Sequence, residues 1–510
     1  MFKTNIDALI ETGNSFFKAS NNNKAIQAYT EAIEKSEYKN SRAYSNRSAV
    51  YLKQNKYSLA YDDALKAIEL GEHLNEKTLF RAGKSAYAMR QFRTSLTHFD
   101  ACSKLNPQNN VEAMRELKKT NQRLLESSTG KFDLDKLTRE MFKRVEKREA
   151  LNFDCADFKS SQITIVNIEN KSKGVIANKF IKKGTLLCAS KALSAVFKYT
   201  NDGALEDTDM FADLMAKMSY DPYLRQQVYT LCPGAGFSRE IDETLALDQA
   251  QRLKGICKTN SFKVNLSQFK FNRIAQYVFS RGPGMENQVT GLWHLPSFFN
   301  HSCVPNASSD FLGDMLFVFA KQDIHKNEEI NINYFDYNKI LSYEDRCECI
   351  EEYGFKCDCR LCELDSRDKQ LQRRENMILR LAFKNLNFKA LSLKEALDDV
   401  KLMEDTYLKR DELQHGLVNA LQNLACRYKC ETKWKMSAQT FERIFMVGKE
   451  TCEKAFLICM LYQAYNDYVQ CFERKMALAC KKRARAFYDE SQKNYFETIW
   501  AEFANGCCYE

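Results

Sequence analysis

Asn300-His301-Ser302-Cys303-Val304-Pro305-Asn306, entered from the apolar pair Phe298 and Phe299, decides how the rest of this 510-residue chain reads. Amide, imidazole and thiol side chains follow a hydrophobic lead-in and close on a proline. That composition suits a buried strand end or turn whose polar groups meet a ligand rather than water. Downstream, Cys357-Asp358-Cys359-Arg360-Leu361-Cys362 places three thiols in one short run. Structural zinc is closed tetrahedrally by four ligands, with cysteine a favoured donor, so three clustered thiolates call for a fourth from elsewhere. Cys303 is the candidate. A metal held by Cys303, Cys357, Cys359 and Cys362 staples the cysteine run onto the Asn-His segment, and metal binding and site assembly become one event.

Between the two lies Glu328-Glu329-Ile330-Asn331-Ile332-Asn333-Tyr334-Phe335-Asp336, which alternates as a strand does and carries a phenol at its end. The order Asn-His-Ser-Cys-x-Pro-Asn, then Glu-Glu-Ile-x-Ile-x-Tyr, then Tyr353-Gly354-Phe355-Lys356 and the cysteine run resembles the SET domain of protein lysine methyltransferases. Within these it is most similar to the SET-and-MYND subfamily, over residues 150 to 365. The resemblance implies S-adenosylmethionine as cofactor and one structural zinc ion. It implies that Tyr334 orients donor methyl and acceptor amine and touches the cofactor, with Tyr353 as the second channel tyrosine. Asn300 and His301 are implied contacts to the cofactor's amino group and adenine, Phe355 the aromatic stacked on the adenine, and Asn272 a further cofactor contact. In Lys171-Ser172-Lys173-Gly174, a glycine beside basic residues lets backbone amides approach a charged ligand. By the same resemblance Lys171, Lys173 and Gly174 hold the methionine part of the cofactor. The subfamily's MYND zinc finger is expected to be absent, because the region where it belongs offers only Cys188, Cys232 and Cys257.

Length and composition bound the rest. At about 150 residues per domain the chain divides into about three. The balance of 76 basic against 67 acidic residues, +9 overall, has no long basic block and gives no reason to invoke nucleic acid. Nineteen cysteines without an N-terminal apolar leader read as reduced thiols, hence a cytoplasmic or nuclear protein. No apolar run is long enough to span a membrane. No Ser-His-Asp order or phosphate loop appears, which argues against hydrolase and kinase chemistry.

Residues 6 to 107 repeat with a period of 35: Gly13, Ser48 and Gly83 share one position, Ala25, Ala60 and Ser95 a second, Ala32, Ala67 and Cys102 a third, Tyr29, Ala64 and Phe99 a fourth. Small residues let paired helices approach closely, so the pattern resembles three tetratricopeptide repeats. Repeats of this kind that grip chaperone tails use a two-carboxylate clamp. Asn14, Asn46, Lys77 and Arg81 fall on four of its positions, and the fifth, a lysine elsewhere, is Ile10. The predicted fold class is therefore multidomain α+β: a tetratricopeptide α-solenoid over 1–125, a helical linker over 126–160, a β-rich SET domain over 161–365 and an all-α, tetratricopeptide-like domain over 366–510. The SET domain carries a helical insert at 200–290 and a zinc-binding post-SET segment at 345–365. The predicted function is methyl transfer to a lysine of a histone or non-histone protein, with a heat-shock chaperone tail as partner of the N-terminal array. The alternative is a catalytically weak or inactive SET-fold adaptor that binds such tails.

Overall fold

The repeat is built by matching a missing side chain to a large one. The computed structural model describes residues 2–71, 75–105, 110–147, 149–169, 171, 173–198, 207–234, 237, 246–265, 288–334, 342–351, 353–385, 392–452, 454–487 and 500. In it, helices Phe2–Lys18 and Asn22–Lys35 form the first unit, Ser41–Lys53 and Tyr57–Leu70 the second, and Glu76–Ala88 and Phe92–Leu105 the third. A Cβ on Gly13 would lie 2.5 Å from the Tyr29 ring and one on Gly83 2.7 Å from the Phe99 ring. In the middle unit the same pair is Ser48 and Ala64, both fully buried. Volume is conserved across the pair, as a close-packed interior requires. The turn inside each unit holds one left-handed residue, Ser20, Asn55 or Arg90, spaced 35 residues apart.

The C-terminal helices repeat this chemistry. Thr432 and Phe472 take the left-handed turn position between Gly416–Cys430 and Trp434–Gly448, and between Lys454–Gln470 and Arg474–Phe487. Ser437 Oγ donates to the Ala425 carbonyl at 3.0 Å, as Ser95 Oγ donates to the Gly83 carbonyl at 2.9 Å, across the same separation of 12 residues. The C-terminal region is thus helical, as its apolar spacing predicts, and its turns and hydrogen bonds are tetratricopeptide-like, as the resemblance implies.

Between the helical regions the described residues form eleven short strands: β1 (Phe158–Lys159), β2 (Ile163–Asn167), β3 (Lys173–Ala177), β4 (Leu186–Lys191), β5 (Ser194–Lys198), β6 (Ser261–Asn265), β7 (Gln288–Leu292), β8 (Asn300–His301), β9 (Ala307–Leu312), β10 (Met315–Ala320) and β11 (Glu329–Ile332). They form three sheets in the orders β1-β4-β10-β9, β2-β3-β11-β8 and β5-β7-β6. The sheets share one core with Trp293, Phe299, Phe317, Ile330 and Ile332. The helical insert appears as Asp207–Met218, Pro222–Tyr229 and Ala246–Asn260.

The N-terminal helices are fastened beside the first sheet, and the C-terminal ones to the helices that follow the last strand. Arg90 pairs with Asp157 at 2.8 Å, and Glu126 Oε2 accepts from the Ala156 amide at 2.9 Å. On the other side, Arg346 and Arg410 each pair with the buried Asp365 at 2.5 Å, which ties helix Tyr343–Glu351 and the segment beyond residue 405 to helix Arg360–Arg367. No helix among the described residues is long and apolar enough to cross a membrane.

Candidate active site and cysteine centre

The motif opening on Asn300 forms β8, which runs parallel to β11 with Asn331 opposite Asn300 and Ile332 opposite His301. The Ser302 amide extends the pairing to the Ile332 carbonyl at 3.0 Å. Pro305 has no N–H to continue it, and Asn306 takes over with its side chain. Its Oδ1 accepts from the Asn331 amide at 2.9 Å, and its Nδ2 donates to the Glu329 carbonyl at 2.8 Å and Glu328 Oε1 at 3.0 Å. The closing Pro-Asn of the motif is therefore a strand stop followed by a side-chain clamp.

His301 is buried, and burial holds its imidazole below the ordinary histidine range. Nδ1 accepts from the Tyr334 amide at 3.1 Å, so the proton of the neutral ring sits on Nε2, 3.3 Å from Cys303 Sγ. The ring joins Tyr334 on one side to the cysteine centre on the other.

That centre brings together the four predicted thiols. Cys303 Sγ lies 3.9 Å from Cys357 Sγ and 3.6 Å from Cys362 Sγ, and the sulfurs of Cys303, Cys357, Cys359 and Cys362 all fall within 4.8 Å of one another. Four sulfurs at about 2.3 Å from a tetrahedral zinc ion stand about 3.8 Å apart, so the donor set fits the metal in type, number and spacing. Hydrogen bonding among the sulfurs pushes the Cys357 and Cys359 thiols below the ordinary range and the Cys303 thiol above it. Leu361 and Leu413 pack on the sulfurs.

Tyr334 follows β11 with its ring between His301 and Tyr353, at centroid distances of 5.3 and 5.0 Å. Its hydroxyl donates to the Phe299 carbonyl at 2.8 Å. Burial, reinforced by Tyr353 and Glu329, pushes the phenol well above its ordinary range, so it stays neutral. The one O–H proton is committed to Phe299, which leaves the oxygen lone pairs to face whatever enters beside the ring.

Of the predicted cofactor residues, His301 touches Tyr334, Lys171, Gly174 and Asn300 gather around Glu329 and β3, and Asn272 lies outside the described residues. A Cβ on Gly174 would come 2.6 Å from Asn300 Nδ2 and 2.3 Å from Ile168 Cδ1, so only glycine lets these two side chains approach β3 so closely. Lys173 Nζ stands 5.4 Å from the centre of the Phe298 ring. Lys171 Nζ is held by two carboxylates, Glu329 Oε2 at 3.2 Å and Asp358 Oδ1 at 3.0 Å, and so bridges β11 to the cysteine run. Phe355 is partly buried beside that run.

Glu329 and Asn306 received no role from sequence reasoning. Glu329 Oε1 accepts from Asn300 Nδ2 at 2.7 Å, so a single carboxylate holds both Asn300 and Lys171. The available signal was the alternation of β11, which sends Glu329 and Asn331 to one face and the buried Ile330 and Ile332 to the other.

In the N-terminal array, Asn14 and Asn46 are joined by Asn46 Nδ2 to Asn14 Oδ1 at 3.0 Å. Arg81 Nη1 donates to the Ser45 carbonyl and hydroxyl at 2.6 and 2.8 Å, and Lys77 is exposed. Ile10 is fully buried in the first unit's core, so that clamp position packs instead of presenting a charge. Glu11, next to it, accepts from Asn14 Nδ2 at 3.2 Å and pairs with Arg42.

Comparison with known proteins places these features. The family model described as SET domain matches residues 172–335. A Gibberella zeae protein named methyltransferase is 27% identical over 363 residues, covering 66% of this chain and 49% of that protein. Human histone-lysine N-methyltransferase SMYD3 is 37% identical over 87 residues, 17% of this chain and 20% of that protein. The chain thus spans about half or less of these relatives' length. Among solved structures, the first tetratricopeptide domain of Spaghetti (RPAP3) bound to an HSP90 peptide is 28% identical, with a TM-score of 0.23, covering 24% of this chain and 94% of that one.

Proposed function

We propose, from a SET domain matched over residues 172–335 and shared with named methyltransferases, that this chain is an S-adenosylmethionine-dependent protein lysine N-methyltransferase. The observation that carries the reading is the Tyr334 hydroxyl, its proton given to the Phe299 carbonyl and its ring packed between His301 and Tyr353, which leaves the oxygen able to accept from a donor beside the ring.

The cofactor supplies a methyl group activated on a sulfonium. The chain's own residues then have three tasks. Asn300, His301, Lys173 and Gly174 line the seat for the donor's amino-acid and adenine ends, with Phe355 at the adenine. Tyr334 aligns methyl and amine for in-line attack, and its oxygen stabilises the positive charge shared between them. Such alignment supplies much of the rate in a two-substrate reaction. The half-buried aromatic walls of Tyr334 and Tyr353 disfavour the ammonium form of an entering lysine, whose ordinary pKa of about 10.4 would keep it unreactive. Zinc at Cys303, Cys357, Cys359 and Cys362 would be structural, because four thiolates leave no open position.

The N-terminal groove, with Asn14, Asn46, Lys77 and Arg81, suits a peptide ending in carboxylates, such as a chaperone tail, gripped by charge-assisted hydrogen bonds. Free thiols at the described cysteines suit a reducing compartment, cytoplasm or nucleus. The test is calorimetric binding of S-adenosylmethionine followed by transfer of labelled methyl groups to lysines of a cell extract. Binding with label on lysine is expected. Binding without transfer to any protein would overturn the assignment as an enzyme.

A further inference from the structure

Glu329 and Asn331 stand two residues apart on the face of β11 opposite its buried isoleucines, about 6.6 Å from each other along the strand. Register puts Glu329 across from Ile176 and Asn331 across from Asn300, so this face meets Asn300 and the side of β3 where Gly174, lacking a Cβ, lets Asn300 Nδ2 come close. The polar groups here are largely spoken for. Asn300 Nδ2 and Lys171 Nζ both bind Glu329, Lys171 also binds Asp358, and Asn306 holds the Asn331 backbone amide. Asn331 Oδ1 is the exception: it is shut off from solvent and has no hydrogen-bond partner among the described residues.

An orphaned buried acceptor costs free energy unless a ligand or water completes it. The surroundings select the ligand's chemistry. Two carboxylates, Glu329 and Asp358, face one ammonium, Lys171, leaving the cluster one negative charge in excess. A carbonyl oxygen beside such a cluster favours a cationic donor. We propose that Asn331 Oδ1 receives a ligand ammonium beside Asn300, with Glu329 holding Asn300 and Lys171 in place around it. The proposal rests on the methyltransferase reading, in which two ammonium groups approach this site: the α-ammonium of the cofactor and the ε-ammonium of the arriving lysine.

The experiment compares wild type with Asn331→Ala and Asn331→Asp. Calorimetry measures binding of S-adenosylhomocysteine and of its analogue lacking the amino group, and a lysine peptide is bound separately to the protein saturated with S-adenosylhomocysteine. If the cofactor's ammonium is the partner, Asn331→Ala weakens S-adenosylhomocysteine about tenfold, the cost of one hydrogen bond to a charged group, and leaves the desamino analogue unchanged. If the lysine is the partner, only the peptide weakens. In either case Asn331→Asp, which keeps the acceptor and adds charge, restores binding. Equal affinities for all three ligands in wild type and Asn331→Ala mean that the oxygen holds water, and overturn the proposal while leaving the methyltransferase reading intact. A wild-type chain that binds no S-adenosylhomocysteine overturns both.

Discussion

Replacing Tyr334 with phenylalanine removes one oxygen from the centre of the site, and the structure separates its consequences. The hydroxyl donates to the Phe299 carbonyl at 2.8 Å, and Phe299 is fully buried, so Tyr334→Phe leaves that carbonyl without its side-chain partner. An unsatisfied buried acceptor costs about 1–3 kcal/mol of stability. The ring itself stays packed between His301 and Tyr353, so the site keeps its shape. The lost lone pairs matter only where positive charge passes from donor to amine. A hydrogen bond to a charged group contributes about 1.5–3 kcal/mol, which converts to a kcat about 10–150-fold lower. None of this oxygen's bonding capacity is assigned to the seated donor's amino-acid or adenine ends. Cofactor affinity by calorimetry should therefore stay within about twofold, well under the factor of ten that 1.4 kcal/mol represents. The assay is single-turnover methyl transfer beside calorimetric binding. Unchanged transfer, or transfer and binding falling together, would refute the role given to the oxygen.

Cys359→Ser should abolish stoichiometric zinc, read by elemental analysis, and loosen cofactor binding with it, because Asp358 in the same run holds Lys171 beside the cofactor seat. Asp365→Asn should cost about 3 kcal/mol, the low end for breaking a buried pair, since it takes the shared carboxylate from Arg346 and Arg410 while Arg410 keeps Asp368 at 3.4 Å, and thermal unfolding measures the loss. Burial raises the Asp365 carboxyl, but the two arginines outweigh it and set its pKa below the ordinary 3.8. Its stabilisation is therefore complete above about pH 4 and lost as pH falls through the folded value, and the variant's acid-unfolding limb should be flatter. Glu11→Gln should tighten binding of a Glu-Glu-Val-Asp peptide several-fold in calorimetry, because Glu11 competes for Asn14 and sets a carboxylate beside the clamp; no change would mean that the peptide lies elsewhere.

Much of the architecture was legible in one dimension. A period of 35 with glycine recurring against an aromatic announces paired helices, because only close packing rewards that exchange of volume. Tetrahedral closure demanded a fourth donor for the three-cysteine run, and Cys303 stood in the other segment rich in polar function. The motif's proline announced the end of a strand. What the chain order could not supply is the partner of each charged group. Lys171 reaches Glu329 across a long stretch of sequence because β11 pairs with β3, and it reaches Asp358, as Asp365 reaches Arg410, because the segments after the sheet fold back onto one another. Ile10 falls on a clamp position by spacing, yet it points into the first unit's core, since a helix face is assigned by what packs on it. The proton on His301 and the unpartnered oxygen of Asn331 depend on the parallel register of β8 and β11. Spacing within a segment encodes local structure, whereas ion pairs, tautomers and orphaned acceptors arise where remote segments meet, and topology alone sets those meetings.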